Sequence, residues 1–399
     1  MNSPEARQQA VRELYNTYPF PPEPLLNEPP PGYNWRWHWQ AAHNFCTGRK
    51  PERSDIRILD AGCGTGVGTE YLLHLNPEAE IVGIDLSEGA LAVAETRCQQ
   101  SGVRAQHQAP VTFQRLPIEQ ADQLEGQFDL INCVGVLHHM PDPVQGIQAL
   151  AKKLAPGGLF HIFVYAELGR WEIQLMQEAI ALFQQEKRGD YVDGVQVGRQ
   201  IFASLPEHNR LVQYDKERWS LENHRDASFA DMYVHPQEVD YNIKTLFDLI
   251  DASGLEFVGF SNPAFWDLDR LVGKAPELIE RAKTLGDRQR YRLIELLDTT
   301  ISHYEFFLAK PPLEITDWSD DGALSQAIAE VHPCLNGWPS QSLFDFDYRL
   351  TSLTAPEYAF MQGCDGSQTI GQILATIDDF DLNAVRSLQA RQLIMLTPH

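Results

Sequence analysis

The segment RILDAGCGTGVGTEYLL, residues 57–73, constrains the fold of this chain more than any other feature. An apolar run ends in Asp60, and three glycines follow at alternate positions, Gly62, Gly64 and Gly66. A glycine-rich turn between a strand and a helix is typical of a nucleotide-like ligand, because the backbone can approach the ligand closely at the start of the helix. The segment therefore predicts a ligand-binding strand–turn–helix unit.

From this segment onward, the chain alternates short apolar runs with amphipathic stretches. Such alternation predicts a doubly wound α/β fold, in which a parallel sheet carries helices on both faces. The pattern then becomes helical and polar before two further strand-like runs. The predicted strands cover residues 57–62, 80–85, 111–117, 128–135, 159–166, 254–260 and 303–309.

Three regions differ in composition. Residues 1–50 combine a short helix with an extended arm rich in proline and aromatic residues. Residues 51–310 hold the α/β pattern, with a helical insertion at about 167–235. Residues 311–399 contain no lysine, three arginines and twelve acidic residues, which predicts a small acidic C-terminal domain. We expect the arm to act as a lid and the C-terminal domain to recognise a partner or to stabilise the rim of the site.

The glycine spacing and two acidic residues distinguish between two ligands. A dinucleotide fold requires G-x-G-x-x-G, but the sixth position here is Val67. Asp60 beside the turn would repel a pyrophosphate and would suit a ligand that carries an amino group or a sulfonium. Asp85 ends the next strand, where a carboxylate can accept hydrogen bonds from both ribose hydroxyls. These features together indicate S-adenosylmethionine.

Later motifs carry a family resemblance. With FDLINCVGVLHHM and APGGLF following in order, residues 57–166 resemble the class I S-adenosylmethionine-dependent methyltransferases. The resemblance implies a Rossmann-like sheet of seven strands, mostly parallel, with an antiparallel last strand. Residues 254–260 and 303–309 would then be strands six and seven.

The same resemblance implies a set of cofactor-binding residues. The glycine turn would line the methionine part, Asp85 the ribose and Leu86 the adenine, while Leu116 and the residue after it would meet the adenine edge. Many relatives have an acidic residue at that edge, where this chain has an Arg-Leu-Pro sequence, so that contact is expected from the backbone. The full implied set is Tyr15, Asp60, Gly62, Cys63, Gly64, Gly66, Asp85, Leu86, Leu116, Pro117, Cys133 and Val134.

Candidate catalytic residues lie at the carboxyl edge of the predicted sheet and in the arm. His138 follows the fourth strand and could act as a base, although paired histidines here also serve structure. Tyr165 ends the fifth strand on the same edge. The arm segment ELYNTYPFPP resembles the lead-in of some bacterial methyltransferases, which implies that Tyr15 and Tyr18 hydrogen-bond the cofactor carboxylate.

Two polar segments are interpreted as structural. The segment HRDASFADMYVHPQEVDYN, residues 224–242, is dense in His, Asp and Tyr, but the spacing of its possible ligands fits no tight metal cluster and favours a solvated loop before a helix. The segment RCQQSGVRAQHQAP likewise predicts solvated helix and loop. The six cysteines are scattered without a CxxC pair, which argues against a zinc site and a disulfide framework. No metal is therefore expected.

Charge and composition narrow the partners. The formal net charge of −23 disfavours nucleic acid and anionic membranes, since phosphate binding relies on clustered basic residues. The N-terminus lacks the apolar segment of a signal peptide and the chain has no run of 18 apolar residues, so a cytoplasmic location is expected. The methyl acceptor is expected to be a protein, through a side-chain nitrogen or oxygen. Asparagine methylation of phycobiliproteins is one possibility, and a small metabolite or a non-catalytic cofactor-binding role are alternatives. The sequence does not indicate the oligomeric state.

Overall fold

A seven-stranded sheet forms the centre of the computed structural model, which describes residues 3–399. Its strands are β1 (Arg57–Ala61), β2 (Glu80–Asp85), β3 (Val111–Arg115), β4 (Phe128–Val134), β5 (Leu154–Tyr165), β6 (Glu256–Phe260) and β7 (His303–Ala309). Their order is β3-β2-β1-β4-β5-β7-β6. Strands β1 to β5 pair in parallel, and β7 lies antiparallel between β5 and β6. This confirms the predicted doubly wound, mostly parallel fold.

Fourteen α-helices precede the C-terminal region within the described residues. They are α1 (Pro4–Thr17), α2 (Trp39–Thr47), α3 (Val67–Leu75), α4 (Glu88–Gln100), α5 (Val103–Gln106), α6 (Pro143–Lys153), α7 (Trp171–Gln184), α8 (Tyr191–Ser204), α9 (Arg210–Arg218), α10 (Asp226–Tyr233), α11 (Ile243–Ser253), α12 (Asp269–Val272), α13 (Pro276–Ala282) and α14 (Asp287–Leu297). Short 3₁₀ turns occur at Trp35–Trp37, Ile118–Gln123, Leu137–His139, Gln185–Lys187 and Pro263–Trp266.

The C-terminal region has a fold of its own. Its helices are α15 (Asp321–Gln326), α16 (Ala355–Gln362), α17 (Ile370–Leu374) and α18 (Leu382–Ala390). Its strands are β8 (Ile328–Val331), β9 (Ser342–Phe344), β10 (Leu350–Ser352), β11 (Asp365–Thr369) and β12 (Ile394–Thr397). Strand β8 pairs with both β11 and β12, while β9 and β10 form a separate hairpin. A separate apolar cluster that includes Leu324, Phe360 and Ile394 fills this region.

The central sheet is buried on both faces because its strands are apolar at successive positions. In β1, Ile58 and Leu59 point to opposite faces and are both fully buried. Leu59 belongs to the core beneath α6 and α11, and Ile58 to the core that also contains Trp35 of the arm. A continuous apolar strand with this environment is typical of parallel sheets.

The N-terminal helix α1 packs on the helices that follow β5. Leu14 of α1 shares an apolar cluster with Ile173 and Met176 of α7 and with Phe229 of α10. The hydroxyl of Tyr191 donates to the backbone carbonyl of Ala10 at 2.7 Å. This packing places the end of α1 over the carboxyl edge of the sheet.

The second half of the arm packs against the C-terminal region. Trp35 is 1% exposed, and its Nε1 donates to Asp347 Oδ1 at 3.0 Å. Tyr33 stacks on Tyr348 with ring centroids 4.5 Å apart. Trp318 Nε1 donates to the carbonyl of Gly48 at 2.6 Å. The arm therefore has two parts. The first faces the site described below, and the second packs mainly against the C-terminal region, although its Trp37 also lines that site.

Two further observations concern the chain as a whole. All six cysteines are unpaired thiols in buried positions. Across residues 3–399, no helix combines the length and apolar character needed to cross a membrane.

Candidate active site

A cavity of about 1000 Å³ opens at the carboxyl ends of β1, β2, β4 and β5. The glycine turn and the two predicted carboxylates form one end of it. Tyr165, His139, Arg170 and Asp231 form the other end. Phe20 and the arm residues that follow it cover the cavity. Ligands of doubly wound folds bind at this edge of the sheet, and the volume suits a drug-sized ligand together with a smaller group.

The glycine turn adopts a backbone that other residues rarely reach. Gly62 and Gly64 have φ values of +76° and +53°. A Cβ atom on Gly62 would lie 2.4 Å from a methyl carbon of Val136, and one on Gly64 would lie 2.5 Å from the carbonyl oxygen of Phe20. The turn therefore needs glycine both for its conformation and for the close approach of its neighbours.

Asp60 is held from both sides at the end of β1. Its Oδ2 accepts a hydrogen bond from Thr69 Oγ1 at 2.5 Å, and its Oδ1 accepts one from Asn132 Nδ2 at 2.8 Å. Burial raises the pKa of Asp60, and these two hydrogen bonds oppose the rise because they favour the charged form. Asp60 lines the cavity with a fixed orientation, as an electrostatic partner for a cationic group requires.

Asp85 links the end of β2 to the glycine turn. Its Oδ2 accepts from the backbone N–H of Gly64 at 2.9 Å, and its Oδ1 accepts from the N–H of Ser87 at 2.8 Å. Burial raises the pKa of Asp85, while the bonds from Ser87 and Gly64 lower it. Each carboxylate oxygen has a second lone pair, so both can still accept a hydroxyl of a bound ribose.

Replacing Asp85 by Ala should weaken the binding of S-adenosylhomocysteine at least tenfold. The change removes a charged acceptor, and each hydrogen bond to a charged group contributes about 1.5–3 kcal/mol. Calorimetric titration measures the change. Glu88→Ala is the matched control, because Glu88 lies three residues further on and pairs with Arg115 at an exposed position. Unchanged affinity in Asp85→Ala would mean that the ribose is held elsewhere.

The other predicted cofactor residues divide into two groups. Tyr15, Cys63, Leu86, Leu116 and Val134 line the cavity. Three other predicted residues, Gly66, Pro117 and Cys133, are not among the residues that line the cavity. Cys133 is fully buried in the core, Gly66 packs against Ala94, and Leu116 and Ile118 line the cavity on either side of Pro117.

The arm is fastened directly onto the glycine turn. The backbone N–H of Thr65 donates to Phe20 O at 3.1 Å, and its hydroxyl donates to Pro21 O at 2.7 Å. Arg97 of α4 donates to the carbonyls of Thr65, Glu23 and Pro24 at 2.7–3.0 Å. Arg97 is 2% exposed, so the interpretation of its segment as solvated is wrong at this residue.

The candidate catalytic residues occupy different depths. Tyr165 lines the cavity and stacks on His138, with ring centroids 3.8 Å apart. His138 is fully buried behind Tyr165, and neither ring nitrogen has a hydrogen-bond partner among the described residues. Its neighbour His139 lines the cavity. Tyr18 packs on the apolar cluster of α1, α7 and α10, whereas Tyr15 reaches the cavity.

Arg170 is a buried positive charge at the end of the cavity that Tyr165, His139 and Asp231 line. Its guanidinium lies 3.5 Å above the ring of Tyr165 and donates to Glu238 Oε1 at 3.2 Å. Asp240 is 3.8 Å away. These contacts both shape the cavity and anchor the start of α7.

Residues 226–238 differ from the expected solvated loop. They contain α10, and Asp231 and His235 are 5% and 9% exposed. The polar pattern indicated exposure, but these side chains face the site rather than solvent. Five residues of the site were not predicted: Asp231, His235, Arg97, Asn132 and Thr69. The first three lie in the two polar segments that were interpreted as solvated, and no sequence signal marked the other two.

Two carboxylates beside a glycine turn, without a phosphate cradle, fit S-adenosylmethionine, which brings a sulfonium, an amino group and a ribose. The fold and the site define a class I S-adenosylmethionine-dependent methyltransferase. When bound, the cofactor supplies an electrophilic methyl group. The glycine turn, Asp60 and Asp85 are the residues of this chain that would hold that cofactor.

Comparisons with known proteins agree. A family model described as a methyltransferase domain matches residues 59–160. The chain is 56% identical to an uncharacterized protein of Synechococcus sp., over 99% of this chain and 94% of that protein. It is 36% identical to the ubiquinone biosynthesis O-methyltransferase of Methylococcus capsulatus, over 31% of this chain and 46% of that enzyme. The chain belongs to the class I S-adenosylmethionine-dependent methyltransferases.

Two other proteins resemble the chain, one in sequence over a short stretch and the other in fold over most of the chain. A protein of Pseudanabaena tenuis, named as an uncharacterized phycocyanin operon protein W, is 78% identical over 23% of this chain and 87% of its own length. The structure of PKMT2 from Rickettsia typhi in complex with AdoHcy has a TM-score of 0.62 at 15% identity, covering 92% of this chain and 77% of that one. At this identity the likeness concerns the fold.

Proposed function

We propose that this methyltransferase transfers its methyl group to a side-chain nitrogen or oxygen of a protein, and that a phycobiliprotein subunit is the acceptor. The observation that carries the proposal is the 78% identity to a protein named for the phycocyanin operon. We infer from that name that the relative, and with it this chain, acts on phycocyanin or together with it. The net charge of −23 disfavours nucleic acid as the alternative macromolecule.

The mouth of the cavity supports a macromolecular acceptor. The segment between α9 and α10 forms part of the rim, and its Leu221 is 88% exposed while it lines the cavity. Trp219 lies on the same rim. The same segment also lines the mouth with the charged residues Glu217, Arg218 and Glu222. Exposed apolar groups next to charged ones suit a protein surface from which one side chain enters the cavity.

A direct assay tests the proposal. Purified enzyme, S-adenosylmethionine and unmethylated phycocyanin should give a phycocyanin subunit heavier by one CH₂ group, and tandem mass spectrometry should locate the methyl group on one side chain. The matched control is Asp85→Ala enzyme, which should not support the reaction at the same cofactor concentration. A quinol or phenol acceptor tested in parallel covers the small-metabolite alternative that the ubiquinone methyltransferase likeness favours. Methylation of that small acceptor, with phycocyanin unchanged, would overturn the proposal.

A further inference from the structure

Three polar side chains, one that follows β4 and two from α10 and the residues after it, meet at the end of the cavity that Tyr165 and Arg170 line. His139 follows β4, Asp231 lies on α10 and His235 follows that helix. One nitrogen from each ring and one carboxylate oxygen of Asp231 all lie within 4.8 Å of one another. Asp231 and His139 line the cavity, and His235 stacks on His139 with ring centroids 3.7 Å apart.

The hydrogen bonds around His235 have one consistent direction. The backbone N–H of Gln237 donates to His235 Nδ1 at 3.2 Å, so the ring proton is on Nε2. Nε2 lies 3.3 Å from the Tyr15 hydroxyl and donates to it. The Tyr15 hydroxyl in turn donates to Asp231 Oδ1 at 2.8 Å. The chain of donors ends on Asp231, which is therefore held as a proton acceptor.

His139 has the opposite tautomer. Its Nδ1 lies 3.1 Å from the carbonyl oxygen of Gln237, so Nδ1 carries the proton and Nε2 keeps its lone pair. Asp231 and His139 thus offer two hydrogen-bond acceptors to one place in the cavity. A group with two N–H bonds can satisfy both acceptors, whereas a hydroxyl has a single hydrogen to donate.

The same hydrogen-bond directions argue against a metal ion held by His139, Asp231 and His235. A metal would need the Nε2 lone pair of His235, but that nitrogen carries a proton because Nδ1 already accepts from Gln237. The cluster is instead arranged to receive hydrogens.

We propose that Asp231 is the catalytic base of the transfer and that the methyl acceptor is a nitrogen with two hydrogens, as in a side-chain carboxamide or a neutral primary amine. This inference rests on the proposed function, which leaves the acceptor atom open. The nitrogen uses its electron pair for the new bond to the methyl carbon, and the electron pair of the broken carbon–sulfur bond stays on sulfur. One N–H proton moves to the Asp231 carboxylate, and His139 Nε2 accepts a hydrogen bond from the other N–H.

The titration of Asp231 makes this step observable. Burial raises the pKa of Asp231 to about 6, although the hydrogen bond from Tyr15 and the charge of Arg170 oppose the rise. A base with this pKa is ionised at neutral pH, so the rate should rise with pH and level off above about 6.

The groups that face Asp231 have other titration ranges. Burial raises the pKa values of Tyr15 and Tyr165 well above 10.0, so both stay neutral. Burial lowers the pKa of His139 to about 3, and burial raises that of Glu238, the partner of Arg170, to about 8. Burial also lowers the pKa of His235 well below 6.5, and, although burial opposes it, Glu238 raises the pKa of Arg170, so neither group titrates near pH 6. We therefore assign the rise near pH 6 to Asp231 and any limb near 8 to Glu238.

Asp231→Asn in the full-length enzyme tests the proposal. The turnover number on phycocyanin should fall at least about 100-fold, in the range of a lost general base, and the limb near pH 6 should disappear. Binding of S-adenosylhomocysteine should be unchanged. Asp226→Asn is the matched control, since Asp226 lies on the same helix but is exposed and pairs with Arg199. Wild-type turnover, or a retained limb near pH 6, in Asp231→Asn would overturn the proposal.

A second variant covers the case in which Asp231→Asn does not fold. Tyr15→Phe removes the hydrogen bond to the carboxylate, so the acid limb should move to higher pH while the turnover number falls less than in Asp231→Asn. A limb that does not move would overturn the role of Asp231. Stoichiometric divalent metal in the purified wild type, with activity lost on chelation, would overturn it too.

Measurements that do not depend on the identity of the methyl acceptor can test this inference separately from the proposed function. Carboxyl NMR of protein labelled at aspartate should show one signal that titrates near pH 6 and is missing in Asp231→Asn. If phycocyanin is not methylated but this signal is present and another NH₂ acceptor reacts with the same pH limb, the proposed function fails and the inference stands. Methylation of phycocyanin on oxygen would sustain the proposed function and overturn the inference.

Discussion

Replacing Gly64 by Ala is expected to lower the affinity for S-adenosylhomocysteine by more than about tenfold and to release the first part of the arm. The residue has φ of +53°, a conformation that costs other residues about 1–2 kcal/mol. Its new Cβ would also lie 2.5 Å from the carbonyl oxygen of Phe20, so either the turn or the arm must move. A shift of the turn would also weaken the hydrogen bond from Gly64 N–H to Asp85.

Gly254→Ala separates the collision from the backbone strain. Gly254 ends α11 with φ of +71°, and no described atom lies within 4 Å of a Cβ built there. Both variants should lose stability, but only Gly64→Ala should lose affinity in calorimetric titration and show faster hydrogen exchange around residues 20–24. Equal affinities in the two variants would show that the contact between the arm and the turn does not contribute to cofactor binding.

The strands could be predicted from the sequence because burial on both faces gives continuous apolar runs. Strands β2 and β7 begin and end at the predicted residues, 80–85 and 303–309. The other strands differ from prediction by one or two residues at an end, except β5, which begins at Leu154 rather than at residue 159. Its first residues include a proline and two glycines, which indicate a turn, but Leu154 pairs with Phe128 across a shift in register.

The two ends of the site were not equally predictable. The glycine turn lies between Asp60 and Asp85, which are 25 residues apart, and the turn together with these two acidic residues indicates the ligand. Asp231 and His139 are 92 residues apart, and the packing of the helices after β5 brings them together. Because polarity along a sequence indicates exposure on average, a buried polar cluster of this kind looks like a solvated loop.

The contacts of the C-terminal region with the arm could likewise not be predicted from the sequence. Its charge and capping signals predict a separate domain, and it has its own apolar cluster. Its contacts with Trp35 and with Gly48 join residues that are far apart in the sequence. Trp318 and Gly48, for example, are 270 positions apart. Removal of this region would expose the nearly buried Trp35, so the arm and the C-terminal region are expected to depend on each other for stability.

Replacing Glu305 by Gln should have the largest effect on stability of the changes considered, because Glu305 joins the arm to the sheet. Its Oε2 lies 2.7 Å from Arg36 Nε in the arm and accepts from Ser261 Oγ at 2.9 Å, while its Oε1 lies 3.2 Å from His161 Nε2. His161 Nδ1 lies 2.9 Å from Asn132 Oδ1, and Asn132 Nδ2 donates a hydrogen bond to Asp60 in the cofactor site. The network therefore runs from the arm to the cavity.

The expected loss in Glu305→Gln is about 3–5 kcal/mol in free energy of unfolding, since the change leaves the charge of the mostly buried Arg36 without its nearest partner. Glu314→Gln is the control, because the Glu314–Arg49 pair is exposed and such pairs contribute at most about 1 kcal/mol. Urea unfolding at neutral pH measures both. Equal losses would mean that the buried network does not hold the arm.

The pH dependence of stability gives an independent check on Glu305. Burial opposes its ionisation, but the hydrogen bond with His161 and the charge of Arg36 outweigh burial and lower its pKa from 4.5 to about 2. A depressed carboxyl pKa stabilises the folded protein above the unfolded value, and that stability is lost as the pH falls through the folded value. Wild-type stability should therefore decline between about pH 4.5 and 2 through this group, whereas Glu305→Gln should decline less over the same interval. Parallel acid limbs in the two proteins would show that the ionisation of Glu305 does not contribute to holding the arm on the sheet.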